Sequence, residues 1–86
     1  MNPFEQFQNE GDEIVKLTNH IHKLIDVAVA EDYFGKEELE NIQGQMTDLV
    51  SQGAFWLEQQ NPQRFIYDLK NFLKWLIKFV ETREKS

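Results

Sequence analysis

From Phe65 to Val80 an apolar side chain stands at nearly every third or fourth position, while Lys70, Lys74 and Lys78 follow one another at four-residue spacing on the other side. That period belongs to a helix and to no other regular element. Phe65, Leu69, Phe72, Leu76, Phe79 and Val80 form the central stripe, and Ile66, Leu73 and Ile77 widen it to nearly half the circumference. This is a strongly amphipathic helix with a broad apolar face. Asn61-Pro62 marks where the helix begins. The residue before proline is disfavoured in the α region, Asn is a good cap, and Pro suits the first helical position. The expected span is about 62–83.

Two further helical patterns precede it. Near the start, Phe4, Phe7, Ile14, Ile21, Ile25 and Ala28 recur on one face, with Gly11 and Thr18 in the gaps of a near-heptad and Leu17 and Leu24 at its edge. Asn2, Pro3 and Glu5 supply a cap, a first helical residue and a first-turn acid. These predict a helix over about 3–31, or a shorter one starting at Asp12, since Gly11 costs about 1 kcal/mol in a helix interior. Glu31-Asp32-Tyr33-Phe34-Gly35 then breaks the pattern, and Gly35 is expected to take the positive φ that ends a helix. A helix over about 36–60 follows. Glu37, Glu38 and Glu40 lie near its positive end. Leu39, Ile42, Met46, Leu49, Val50, Gly53 and Trp56 or Leu57 make its inner stripe. Gly53 lies on that stripe and would let a neighbouring helix come close; Gly44 lies off it, where a kink is expected.

No strand-like alternation persists, and there is no repeat or linker. The expectation is therefore all-α: one domain over residues 1–86, an antiparallel up-down-up three-helix bundle. The alternative is that a second subunit covers part of the last helix, as in a homodimer. At 86 residues with 41% hydrophobic and 13% aromatic content there is material for one core. Its stability should be modest, roughly 4–13 kcal/mol.

Composition narrows the function. The absence of cysteine removes disulfides and thiolate metal sites and fits a reducing compartment. The first residues carry no basic segment and no apolar run, so no signal peptide is expected, and no apolar stretch is long enough to span a bilayer. A cytoplasmic protein is the simplest reading. His20 and His22 point about 200° apart on a helix and cannot clasp one metal. Asp32 to Lys36 puts aromatics and a lysine where a calcium loop needs oxygen ligands. There is no glycine-rich phosphate loop, Gly-x-Ser-x-Gly or cysteine nucleophile, and the run Glu37, Glu38 and Glu40 reads as a solvated helix start rather than a catalytic pair. No enzyme activity, metal or cofactor is expected.

What remains is binding. The formal charge of −6 is unevenly spread: residues 1–61 carry twelve acids and three bases, while residues 62–86 carry six bases and three acids. The acidic front and basic tail are expected to attract each other within the fold. Aromatics are in surplus in the last third. The leading reading is a small acidic protein that docks another protein through a helix face. Trp56, Trp75 and Phe79 are its anchors, with Tyr67, Lys70, Lys74 and Lys78 around them. A second reading uses Glu31, Asp32, Glu37, Glu38, Glu40 and Asp48 as an acidic surface that blocks a basic, nucleic-acid-handling partner, as an inhibitor, antitoxin, immunity or anti-defence protein does. Nucleic-acid binding through the lysine ridge is the third, and a pI near 4.8 disfavours it.

Overall fold

The computed structural model describes residues 8–85. Within them the chain forms α1 (Gln8–Ala30), α2 (Lys36–Glu58) and α3 (Pro62–Lys85). This is an all-α three-helix bundle, up-down-up, as the spacing of apolar residues requires. The proposed caps at Asn2 and Pro3, and Phe4 and Phe7, lie outside the described residues. Helix α1 passes through Gly11 without a break, so the shorter helix starting at Asp12 is not formed. Gly11 is buried, which explains why a residue without a side chain is tolerated there.

Helix α3 is the centre of the molecule. Both α1 and α2 pack against it and hardly against each other. The three helices make a slab of 46 × 21 × 17 Å rather than a closed triangle. The core runs along the stripes read from the sequence: Ile14, Ile21 and Ala28 from α1, Ile42 from α2, and Phe65, Ile66, Leu69, Leu73, Leu76 and Val80 from α3. Two assignments change. Val50, placed on the inner stripe, is 54% exposed. It flanks the open groove between α1 and α2 that their lack of mutual packing leaves. Phe34, read only as part of a turn, is buried, its ring 5.2 Å from that of Phe79.

Gly35 does not take the positive φ expected of it. Its φ of −72° and ψ of 167° place it in the extended region, as the cap that starts α2. Its N–H donates to Glu38 Oε1 at 3.1 Å, so the first-turn glutamate closes the cap from the other side. The residue that ends α1 is Asp32, with φ 58°, and Gln60, with φ 57°, does the same for α2. Both turns carry the same bonds. Tyr33 N–H reaches Ala28 O and Asp32 N–H reaches Val29 O; Asn61 N–H reaches Trp56 O and Gln60 N–H reaches Leu57 O. These are Schellman turns, in which a left-handed residue lets the chain satisfy the last helical carbonyls. Asp tolerates that conformation through its short polar side chain, but Gln has no such excuse. Gln60→Gly is therefore expected to stabilise the fold by about 0.5–1 kcal/mol, after the extra unfolded-state freedom of glycine is deducted. A urea midpoint that stays put would show that the turn at Gln60 is not strained.

Helix α2 continues through Gly44 as one element, so the glycine does not end it. Thr18, Thr47 and Thr82 each donate to the carbonyl four residues back, which ties their hydroxyls into the helices.

Candidate partner-binding face

On α3 the residues Arg64, Asp68, Phe72, Trp75, Phe79 and Arg83 recur at steps of four, four, three, four and four. Such steps keep them on one side of the helix, along its seam with α2. The aromatic members stack in sequence. Phe72 and Trp75 have ring centroids 5.7 Å apart, and Trp75 and Phe79 5.6 Å apart. Trp75 is 42% exposed, although it is among the largest apolar side chains in the chain. It lines three adjoining clefts. The largest, about 610 Å³ and open-sided, lies between α2 and α3 and includes Gln45, Asp48, Leu49, Phe72 and Trp75. A second runs over Ile42, Trp75 and Phe79, and a third over Trp75, Lys78 and Arg83.

Trp56 sits at the other end of the same seam. It is half-buried, edge-on to Phe55 at 5.0 Å, and its indole N–H is buried with no hydrogen-bond partner among the described residues. The Arg64 guanidinium lies over its ring at 5.7 Å and over the Tyr67 ring at 5.2 Å. Tyr67 itself is 56% exposed. The structure thus brings Trp56 and Tyr67 together around Arg64, and Trp75 and Phe79 together further along α3. Phe55 and Trp56, adjacent in sequence, differ in burial though their rings touch: Phe55 is exposed and Trp56 is half-buried.

Lys70, Lys74 and Lys78 follow one another at four-residue spacing on α3, and Lys70 Nζ pairs with Glu13 Oε1 of α1 at 3.1 Å. Lys74 and Lys78 are exposed, with no ion pair among the described residues, and Lys78 borders the Trp75 strip. Arg83 pairs with Glu38 between α3 and α2. Among the described residues the acidic front and basic tail therefore meet in the Glu13–Lys70 and Glu38–Arg83 pairs.

The acids fall into separate groups. Glu31, Asp32 and Glu37 are exposed where α1 turns into α2. Desolvation, and after it the charges of Glu84 and Glu31, raise the Tyr33 phenol above its ordinary range. Glu38 is engaged by Arg83, and Glu40 is exposed nearby. Asp48 lies ten residues beyond Glu38, roughly 15 Å along the helix, and lines the Trp75 cleft. His20 and His22 are exposed on α1. No three His, Asp or Glu side chains converge as metal ligands among the described residues. No helix is long and apolar enough to cross a membrane.

The role of Asp48 and Asp68 as walls of the cleft was missed in the sequence. The signal was present in the four-residue spacing of Arg64 and Asp68, which pair at 3.5 Å and fix the carboxylate on the seam. No protein-family model, curated protein or solved structure matches the chain.

Proposed function

We propose that this chain is a non-catalytic binding factor that docks another protein along the α2–α3 seam, with Trp75 as the central anchor. The observation that carries the reading is the exposure of Trp75. A tryptophan that lines three adjoining clefts while showing 42% of its surface is poorly used as core and well placed as a contact. Tryptophan is the residue type most enriched among dominant interface contacts. Phe72 and Phe79 hold its ring in place, so little side-chain freedom is lost on docking.

Affinity capture from native extract with the wild-type chain and Trp75→Ala side by side tests this. A partner held by the wild type should bind Trp75→Ala at least about tenfold more weakly. Circular dichroism should show the variant still helical, because nearly half of the side chain lies outside the fold. Equal retention of the partner by both proteins sinks the assignment.

A second reading, the acidic inhibitor, is favoured by one observation. Asp48 stands in the cleft without an ion pair among the described residues, and Glu31, Asp32 and Glu37 crowd one end of the slab. Affinity that falls steeply with added salt supports this reading, and affinity nearly independent of salt supports aromatic docking alone.

A further inference from the structure

We infer that the cleft between α2 and α3 accepts an arginine side chain from the partner protein, an inference that rests on the docking reading above. The chain supplies its own template for this recognition, twice, on the same seam. At one end Arg64 lies over the rings of Trp56 and Tyr67, with the Asp68 carboxylate 3.5 Å from its Nε. At the other end Arg83 lies 5.0 Å from the Phe79 ring centroid, and its Nη2 meets Glu38 Oε2 at 2.5 Å. Each is the same triad: aromatic face, guanidinium, carboxylate. These two are the only arginines in the sequence.

Midway between them, roughly 14 Å along α3 from either, the seam repeats the triad without its cation. Phe72 and Trp75 offer the rings, and Leu49 completes an apolar floor. Asp48 stands on the α2 wall without an ion pair among the described residues; Asp68 stands on the α3 wall, and only its Oδ1 is engaged by Arg64. Gln45, Gln52 and Asn71 add neutral acceptors around the rim. A planar guanidinium suits this setting better than an ammonium. It stacks flat on an indole, is weakly hydrated, and presents its donors in a fork that matches a carboxylate. The open-sided shape of the cleft admits a side chain carried on a helix that lies along the seam. The fit to Arg is thus one of charge and ring geometry together, on a seam where Lys78 and Arg83 at one end would repel a basic partner placed out of register.

The test uses the full chain labelled with nitrogen-15 and three amphipathic fifteen-residue peptides, identical except for a central arginine, citrulline or leucine. Each is titrated while amide and indole resonances are followed. The arginine peptide should move the Trp75 indole signal and the Asp48 and Asn71 amides, and should bind about tenfold more tightly than the citrulline peptide. Asp48→Asn should abolish that preference, whereas Glu40→Gln, which removes the same charge from outside the cleft, should keep it. If all three peptides shift Trp75 with equal affinity, the seam is a docking surface and the arginine inference falls. If none of them shifts Trp75, the docking reading falls with it.

Discussion

Leu76→Ala is expected to cost about 3–5 kcal/mol, a large share of what a chain of this length can hold in reserve. Leu76 has no exposed surface, and it lies on α3, the one helix that both others need. Removing three heavy atoms there loses their transfer energy and leaves a cavity that cannot close without moving a helix. For a domain of this size each kcal/mol lowers the melting temperature by roughly 4–8 °C, so the transition should fall by 12 °C or more, roughly. Thermal and urea unfolding followed by circular dichroism measure it. Leu76→Met conserves volume and should lose less than about 1.5 kcal/mol, which separates the cavity from a general intolerance of change. The neighbouring residue gives the contrast: Trp75→Ala gives up ring stacking at a half-open site and should disturb binding far more than folding. A small effect of Leu76→Ala would mean that α3 is not the shared spine of the bundle.

The position of Leu76 was legible because period alone decides which residues of a helix point inward. Ile14, Ile21, Ala28, Ile42, Leu69 and Leu76 all fall where the stripes place them. The Asn61-Pro62 boundary was legible for a similar reason, because proline constrains its own φ and its predecessor. Turn conformation was less accessible. Gly35 suits a left-handed cap, but the N–H groups of Asp32 and Tyr33 close the end of α1 on Val29 O and Ala28 O, so Asp32 takes the positive φ three residues earlier. Pairing between helices was not accessible at all. A stripe shows that a face is covered and not by which neighbour, so the poor contact of α1 with α2, and with it the exposure of Val50, emerges only in three dimensions. The candidate face was half visible. Trp75, Phe79, Trp56 and Tyr67 could be named from their surplus, whereas the pairing of Lys70 with Glu13 of α1 could not be read from the period of α3 alone. Asp48 was counted with acids that lie well apart from it.

Gly53→Ala should destabilise the protein by about 2–3 kcal/mol, although the same change at Gly44, in the same helix, should stabilise it by about 0.5–1 kcal/mol. Alanine is the better helix former at both sites, so intrinsic propensity predicts a gain twice. The surroundings decide otherwise. Around Gly44 a new Cβ would meet nothing within 4 Å. At Gly53 it would lie 2.7 Å from Cδ1 of Phe65 and closer still to Cε1 and Cζ of that ring. Carbon atoms in contact prefer separations of about 3.5–4.0 Å, so the ring or the helix must move. The ring has little room, because Phe65 is buried in the first turn of α3 among the core side chains. Gly53 is thus the point where α2 comes close enough to α3 for an aromatic face to lie on bare backbone. Shrinking the ring in the same background should restore part of the loss: Phe65→Leu combined with Gly53→Ala should be more stable than the sum of the two single effects, by about 1 kcal/mol. Urea midpoints for the four proteins close the cycle, and additive effects would mean that Gly53 and Phe65 do not meet. Because this contact is part of the packing of α2 on α3, loosening it should also open the seam in which Trp75 stands. Gly53→Ala should therefore weaken partner binding through the fold, with helix content reduced in step, whereas Trp75→Ala weakens it with helix content intact.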